Sequence, residues 1–235
     1  MAAEIGEKYA AKISETMSVN VTRMEELAAQ SAMLDGQEAD KVKILADLKK
    51  RTGEDFSMIC YADLQGMAIN EAGHKMDRAD REYIKKVRET KKTYVSNPTI
   101  SHTTNQAISL ITVPILENGQ LKGFICGTME LAKISELTAS VRFFDSGFGD
   151  IADETGMIIG FSKKPEYVGN WNVNETSLAK VPGHENDVVD EALVKGFQKS
   201  IQTKQQNFVS YKTSNGEQMT SAITPIELPG RNWYI

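Results

Sequence analysis

The residues in this chain able to do chemistry are few, and their spacing argues against catalysis. The three histidines, His74, His102 and His184, are scattered without a metal-ligand spacing and read as surface residues. No Gly-x-Ser-x-Gly, no phosphate-binding loop and no close carboxylate pair stands out. "DSGFGD" (Asp145–Asp150) opens like a calcium loop but lacks the later ligands and the closing Glu. Neither a catalytic residue, nor a metal, nor a cofactor is expected. Cys60 and Cys126 have no CxxC spacing and no His partner. They could pair or stay as thiols, and the reading favoured here is two buried core thiols.

Composition bounds the rest. At 235 residues, 40% hydrophobic and 25% charged, the chain can bury one large core or two small ones. A net charge of −5 argues against a nucleic-acid surface. The most basic run, "KVRETKK" (Lys86–Lys92), has no interleaved aromatics and reads as the solvated side of a helix. No stretch approaches the ~20 apolar residues of a membrane span, and no signal peptide is visible. The opening "MAAEIGEKYAAK" reads as a start placed on a helix already under way, and the chain stops inside a strand-like segment at Trp233-Tyr234-Ile235. A soluble fragment of something larger is the expectation.

Two internal echoes organise the chain. "ADLQGMAI" (Ala62–Ile69) and "ADETGMII" (Ala152–Ile159) each spell strand, Asp-x-x-Gly turn and strand. "ITVPILENGQLKGFI" (Ile111–Ile125) and "ITPIELPGRNWYI" (Ile223–Ile235) each carry Ile-Thr, Pro-Ile, a Gly-containing turn and a second strand. The spacing is far longer than a solenoid repeat, so two related α+β modules are implied. Before them, apolar residues at Ile5, Tyr9, Ile13, Met17, Val21, Met24 and Ala28 mark a long amphipathic helix from Ala3 to about Leu34, ended by Gly36. A second helix follows over Glu38–Arg51.

The first module then predicts strands at Phe56–Tyr61, Met67–Asn70, Tyr94–Ser96, Ala107–Leu116 and Leu121–Met129. A helix at Ala79–Glu89, capped by Asp77, is inserted after the second strand. That is the order of a PAS-like antiparallel sheet. A connecting helix is expected over Glu130–Val141. The second module should hold a hairpin at Gly149–Gly160, a helix at Asn186–Thr203 and strands from Phe208 to Ile235. The fold class is α+β, with a long N-terminal helix alongside two PAS-like antiparallel-sheet modules.

"DRADREYIKKVRETKKTYVSNPTISHTTNQAISLITVPILENGQLKGFICGTMELAKISEL" resembles the membrane-distal half of a double Cache domain. "FFDSGFGDIADETGMIIGFSKKPEYVGNW" and "YKTSNGEQMTSAITPIELPGRNWYI" resemble the start and end of the membrane-proximal half. The resemblance implies three segments: helices over 1–54, a ligand-binding distal module over 55–131, and a connecting helix with the proximal module over 132–235. It implies an extracytoplasmic sensor of a bacterial transmembrane receptor, most often a chemotaxis transducer and otherwise a histidine kinase or diguanylate cyclase. The small-molecule ligand would sit in the distal module, and the proximal module would hold no site of comparable size.

In the amino-acid-binding branch, Arg-x-Trp-Tyr reads the ligand carboxylate and an Asp on the last strand reads its amine. Here Arg81 stands at the Arg position, Tyr83 at the Trp position and Ile84 at the Tyr position, while Thr128 replaces the Asp. The resemblance implies a small organic ligand, a carboxylate or amino-acid-like, and the missing Asp shifts the expectation toward a carboxylate without an amine, or a neutral ligand. Tyr94, Ser96 and Ser101 lie on the covering strand and loop, and Cys126 shares a strand face with Thr128.

The rival class is a ligand-free dimerisation module. Ile13, Leu27 and Leu34 at heptad intervals, with Asn20 between, could pair the first helix with a copy of itself. A homodimer through that helix, with signal passing along it and the connecting helix, is the expected partnership. The membrane would enter only through flanking spans.

Overall fold

The computed structural model describes residues 2–101, 107–141, 147–213 and 216–235. The chain forms two compact units, one of residues 17–130 and one of residues 1–16 with 131–235. Helix α1 (Ala2–Ala28) supplies residues to both. Its stripe of Ile13, Met17, Val21, Met24 and Leu27 is buried, as the three-and-four spacing requires. The helix does not run on to Leu34. Gln30 adopts an extended backbone and its N–H turns to the Leu27 carbonyl, and a short helix α2 (Ser31–Asp35) restarts with Met33 facing inward. Helix α3 (Glu38–Thr52) follows.

The unit 17–130 then builds one antiparallel sheet. Its elements are β1 (Met58–Ala62), β2 (Met67–Asn70), β3 (Lys75–Asp77), helix α4 (Glu82–Thr90), β4 (Tyr94–Val95), β5 (Thr99–Ile100), β6 (Ala107–Glu117) and β7 (Gln120–Glu130). The strand order is β3-β2-β1-β7-β6-β4, with β5 also on β6. Two of these strands, β3 and β5, were not anticipated, being two or three residues long. Helix α4 starts later than expected because Asp77 spends its carboxylate on the Ala79 N–H, in a turn ahead of the helix. Arg81 occupies the N-cap position without a capping side chain.

The second unit adds α5 (Leu131–Glu136), β8 (Ile151–Ala152), β9 (Ile158–Gly160), a 3₁₀ turn over Pro165–Tyr167, α6 (Glu191–Thr203), β10 (Asn207–Lys212), β11 (Gln218–Ile223), β12 (Pro225–Leu228) and β13 (Arg231–Tyr234). Strands β10 and β11 pair alone, and β12-β13-β8-β9 form a four-stranded sheet. The connecting helix is shorter than the Glu130–Val141 expected. The Thr138 hydroxyl bonds the Ser135 carbonyl and accepts the Ser162 N–H, and Ser135 Oγ accepts the Phe161 N–H, which ties the chain down in turns. Helix α6 begins at Glu191 rather than Asn186 because Asp190 caps the Ala192 N–H. His184 is not a plain surface residue. Its ring lies 5.3 Å from that of Tyr167, and its Nδ1 is 2.8 Å from Asp187 Oδ2. His74 is exposed, while His102 and the first two residues of "DSGFGD", Asp145 and Ser146, lie outside the described residues.

The repeated octapeptide is a repeated turn. Asp63 Oδ1 accepts the N–H groups of Gln65 and Met67, and Asp153 Oδ1 accepts those of Thr155 and Met157. Gly66 and Gly156 follow with φ of 92° and 89°, backbone that a side chain would strain.

Strand β7 is buried at every position from Gly123 to Met129, so both faces of the sheet are covered. On one face a Cβ at Gly127 would lie 2.6 Å from Phe56 and 3.0 Å from Met24. Gly127→Val should therefore lower stability by about 1–3 kcal/mol through overpacking, read as a lower urea midpoint. An unchanged midpoint would show that the Phe56 ring moves aside freely.

In the second unit, half-buried Asp150 is pushed up to about 6 from 3.8 by desolvation, with its own backbone hydrogen bond and Lys164 opposing. The folded chain thus holds this proton between those pH values and the unfolded chain does not. Stability from this group is fully present below about pH 3.8, falls as pH rises to 6, and stays lost above. Asp150→Asn should gain about 2–3 kcal/mol at pH 7 and close to nothing at pH 4. Equal gains in urea titrations at both pH values would exclude the carboxylate as the cause.

Candidate functional site

The sheet of residues 17–130 presents one polar face, and strand register fixes what lies on it. Tyr94 pairs with Thr112, Thr112 with Cys126, Cys126 with Cys60, and Cys60 with Asn70, making one row across five strands. The next row holds Ser96, Leu110, Thr128 and Met58, with Ser96 N–H bonded to the Leu110 carbonyl. Directly opposed residues point to the same side of a sheet. Tyr94, Ser96, Thr112, Cys126 and Thr128 therefore share a face.

Helix α4 covers that face because its apolar stripe, Tyr83, Ile84 and Val87, packs into one cluster with Cys60, Tyr94, Leu110, Phe124 and Cys126. Burial pushes the Tyr83 phenol well up, the Cys126 and Cys60 sulfurs add to the shift, and Arg78 and Arg81 oppose it. The hydroxyl therefore stays neutral, a hydrogen-bond donor, throughout the physiological range. Contact with the Cys60 thiol, then burial, holds Cys126 well above the usual thiol range, so it too is uncharged.

Several buried polar atoms on or beside this face lack a hydrogen-bond partner: Arg81 Nε, Asn97 Oδ1, Thr112 Oγ1 and Thr128 Oγ1. The Thr112 hydroxyl lies beside Cys126, where it would favour a thiolate, but it makes no hydrogen bond to the folded chain. An unpaired buried hydroxyl or amide costs on the order of 1–3 kcal/mol. Thr112 Oγ1 and Thr128 Oγ1 on the face, with Arg81 Nε near Tyr83, are candidate donors and acceptors for a ligand. Arg78 is buried before the helix, with Nη2 on the Met76 sulfur at 2.9 Å. No Asp or Glu of this unit is buried among the described residues.

The expected residues separate into kinds. Tyr83, Cys126 and Thr128 line the covered face. Tyr94 joins them, but its hydroxyl donates to Glu82 Oε1 at 3.1 Å. The Ser96 hydroxyl is engaged in the scaffold, donating to the Asn97 carbonyl and accepting the Leu110 N–H. Ser101 is buried at the end of the covering segment, next to residues outside the described set. Sequence reasoning passed over Arg78, Asn97 and Thr112. Their roles depend on strand pairing and on a turn that buries Arg78, and a linear pattern shows neither.

No group of three or more His, Cys, Asp or Glu able to hold a metal occurs among the described residues. The other unit has clefts of its own. One of about 420 Å³ lies among α1, Gln206, Thr224 and Glu227. A second of about 420 Å³ lies among Glu154, Lys204, Arg231 and Tyr234. Within the described residues no helix is long and apolar enough to cross a membrane.

The sequence profile of the double Cache type of Cache domain matches residues 1–235, and the chain belongs to that family. Its members are extracellular sensor domains of membrane receptors, so the chain is a sensor domain and not an enzyme. A search of curated proteins by sequence gives no match. Among solved structures, the ligand-binding domain of the Pseudomonas fluorescens chemoreceptor CtaA, bound to L-serine, is similar at 21% identity and TM-score 0.73, over 98% of this chain and 92% of that one. That of the Pseudomonas aeruginosa amino acid chemoreceptor PctC, bound to GABA, gives 21% identity and 0.71, over 98% and 94%. The extracellular domain of a candidate histidine kinase, mmHK1S-Z2, gives 13% and 0.73, over 99% and 94%. These likenesses establish the shared fold.

If the unpaired hydroxyls are kept for a ligand, removing one should help the empty protein. Thr128→Val keeps the shape and should raise the stability of the unliganded chain by about 1 kcal/mol, measured as a higher urea midpoint. A loss of stability would mean that the hydroxyl has an internal partner.

Proposed function

We propose that this Cache domain is the extracytoplasmic sensor of a bacterial transmembrane receptor of the chemotaxis type, and that it binds a small organic carboxylate lacking an amine. The site proposed is the face under α4. The observation that carries this reading is the combination of Arg78 and Arg81 with unpaired buried hydroxyl and amide atoms and no buried acid. The carboxylate would meet Arg81 and the Tyr83 hydroxyl, a charge-assisted pairing stronger than a neutral one. Thr112 and Thr128 would bond the ligand's remaining polar groups. An ammonium group would find no buried counter-charge, since Glu82, bonded to the Tyr94 hydroxyl, is exposed, and burying it unpaired would be costly.

A histidine kinase sensor is the second reading, favoured by the similarity to the mmHK1S-Z2 domain over almost the whole of both chains. Both readings use the same site and differ only in what lies beyond the membrane. A homodimer through α1 remains part of the proposal, but not through the heptad stripe first considered. Ile13, Asn20 and Leu27 are buried within this chain, so a second copy would have to meet the opposite face, around Val19. Binding would shift a two-state equilibrium by the ligand's differential affinity for the two states. Helix α1 is the element suited to carry that change, since it contributes residues to both units.

Thermal-shift measurements with acetate, lactate, succinate and malate, beside L-serine, 4-aminobutyrate and putrescine, test the ligand class. A ligand at 100 times its Kd adds about 2.7 kcal/mol, a rise of several degrees. Arg81→Ala should keep the wild-type circular dichroism and weaken carboxylate binding at least about tenfold. Stabilisation by the amines alone, or binding indifferent to Arg81, would overturn the proposal.

A further inference from the structure

The chain contains two cysteines, and the sheet brings them face to face. Cys60 on β1 and Cys126 on β7 are direct register partners on antiparallel strands, both free and both buried. The backbone type of this pairing follows from its neighbour. The Ile59 carbonyl accepts the Glu71 N–H on the β2 side, so Cys60, one residue on, turns its peptide groups toward β7. In such a hydrogen-bonded pair the Cα atoms are about 5.5 Å apart, inside the window a disulfide spans. The Cβ atoms sit somewhat wider than a disulfide prefers, so closing the bond draws β1 and β7 together by roughly 1 Å.

We propose that Cys60 and Cys126 form a cross-strand dithiol that a disulfide-bearing oxidant closes into an intramolecular disulfide beneath α4. One protein thiolate attacks a sulfur of the oxidant, forms a mixed disulfide and expels one oxidant thiolate. The second protein thiolate attacks the protein sulfur of that mixed disulfide and expels the other. Two protein S–H bonds are lost and one S–S bond forms. The two electrons and two protons pass to the oxidant, which leaves as two thiols.

The folded protein reacts slowly, because both sulfurs are under Tyr83 and the thiol form of Cys126 is favoured. The bond therefore forms while the chain folds, before α4 covers the sheet. Once closed, it fixes the middle of the row that carries Tyr94 and Thr112, and both thiol hydrogens leave the face under Tyr83. The chemistry is independent of the ligand. Only its natural setting, an oxidising compartment, rests on the placement outside the cytoplasm proposed above.

The test is to refold the reduced, denatured chain in a mixture of reduced and oxidised glutathione, then denature it in iodoacetamide. The expected product has a mass about 2 Da below the reduced chain, takes up no alkyl group, and yields linked tryptic peptides 52–75 and 123–133. Its thermal midpoint should exceed that of the reduced form by several degrees. Two alkyl groups per chain, or bonds only between chains, would overturn the proposal. Neither result depends on whether carboxylates bind, so the two readings stand or fall separately.

Discussion

The constraint on which the rest of the first unit depends is that β7 and its neighbours are covered on both faces. A strand buried at seven consecutive positions leaves water no access to either side. One face meets α1 and Phe56 so closely that Gly127 has no room for a side chain. The other meets α4 through Tyr83, Ile84 and Val87. Anything polar on that second face must find its partner inside the protein or in a bound molecule. Thr112 and Thr128 find none inside, and this turns an ordinary sheet face into a candidate recognition surface.

The electrostatics follow from the same burial. Away from water, Tyr83 and Cys126 are both held in neutral forms, which leaves the guanidinium groups as the fixed charges beside the face. Arg78 is buried and Arg81 half-buried, at the entrance to a helix whose first turn has no capping side chain. Backbone N–H groups and guanidinium groups there act with the same sign, which suits an anion. Related domains bound to L-serine or GABA face ligands carrying both charges. With Thr128 where the resemblance places an Asp in that branch, the site proposed here would answer only one of the two.

Much of the architecture was legible because it rests on short-range chemistry. The Asp-x-x-Gly octapeptide folds the same way twice, since an Asp side chain reaches two amides of its own turn whatever surrounds it. The stripe on α1 was legible too, but its partner was not. The heptad spacing of Ile13, Asn20 and Leu27 fits a second helix or a folded core equally well, and the core claims it. Boundaries moved where a side chain intervened: Asp77 delays α4, Asp190 delays α6, and Ser135 and Thr138 cut α5 short. The pairing of Cys60 with Cys126, and of Thr112 with both Tyr94 and Cys126, was invisible. Register comes from which strands meet, and those strands are far apart in sequence.

The divided membership of α1 also orders events during synthesis. Residues 17–130 are continuous in sequence and can fold without waiting for the residues that follow them. The first half of the helix has to wait. Tyr9 and Lys12 bond Ser140, Ser14 bonds the Glu227 carbonyl, and Gly6 lies so close to Thr224 that a Cβ there would meet its Oγ1 at 2.4 Å. At roughly 5–20 residues per second, the strands that cover it arrive on the order of ten seconds or more after it is made. Through that interval Ile5 and Ile13 stay uncovered, so the first turns of the chain are the place where a holding chaperone has most to protect.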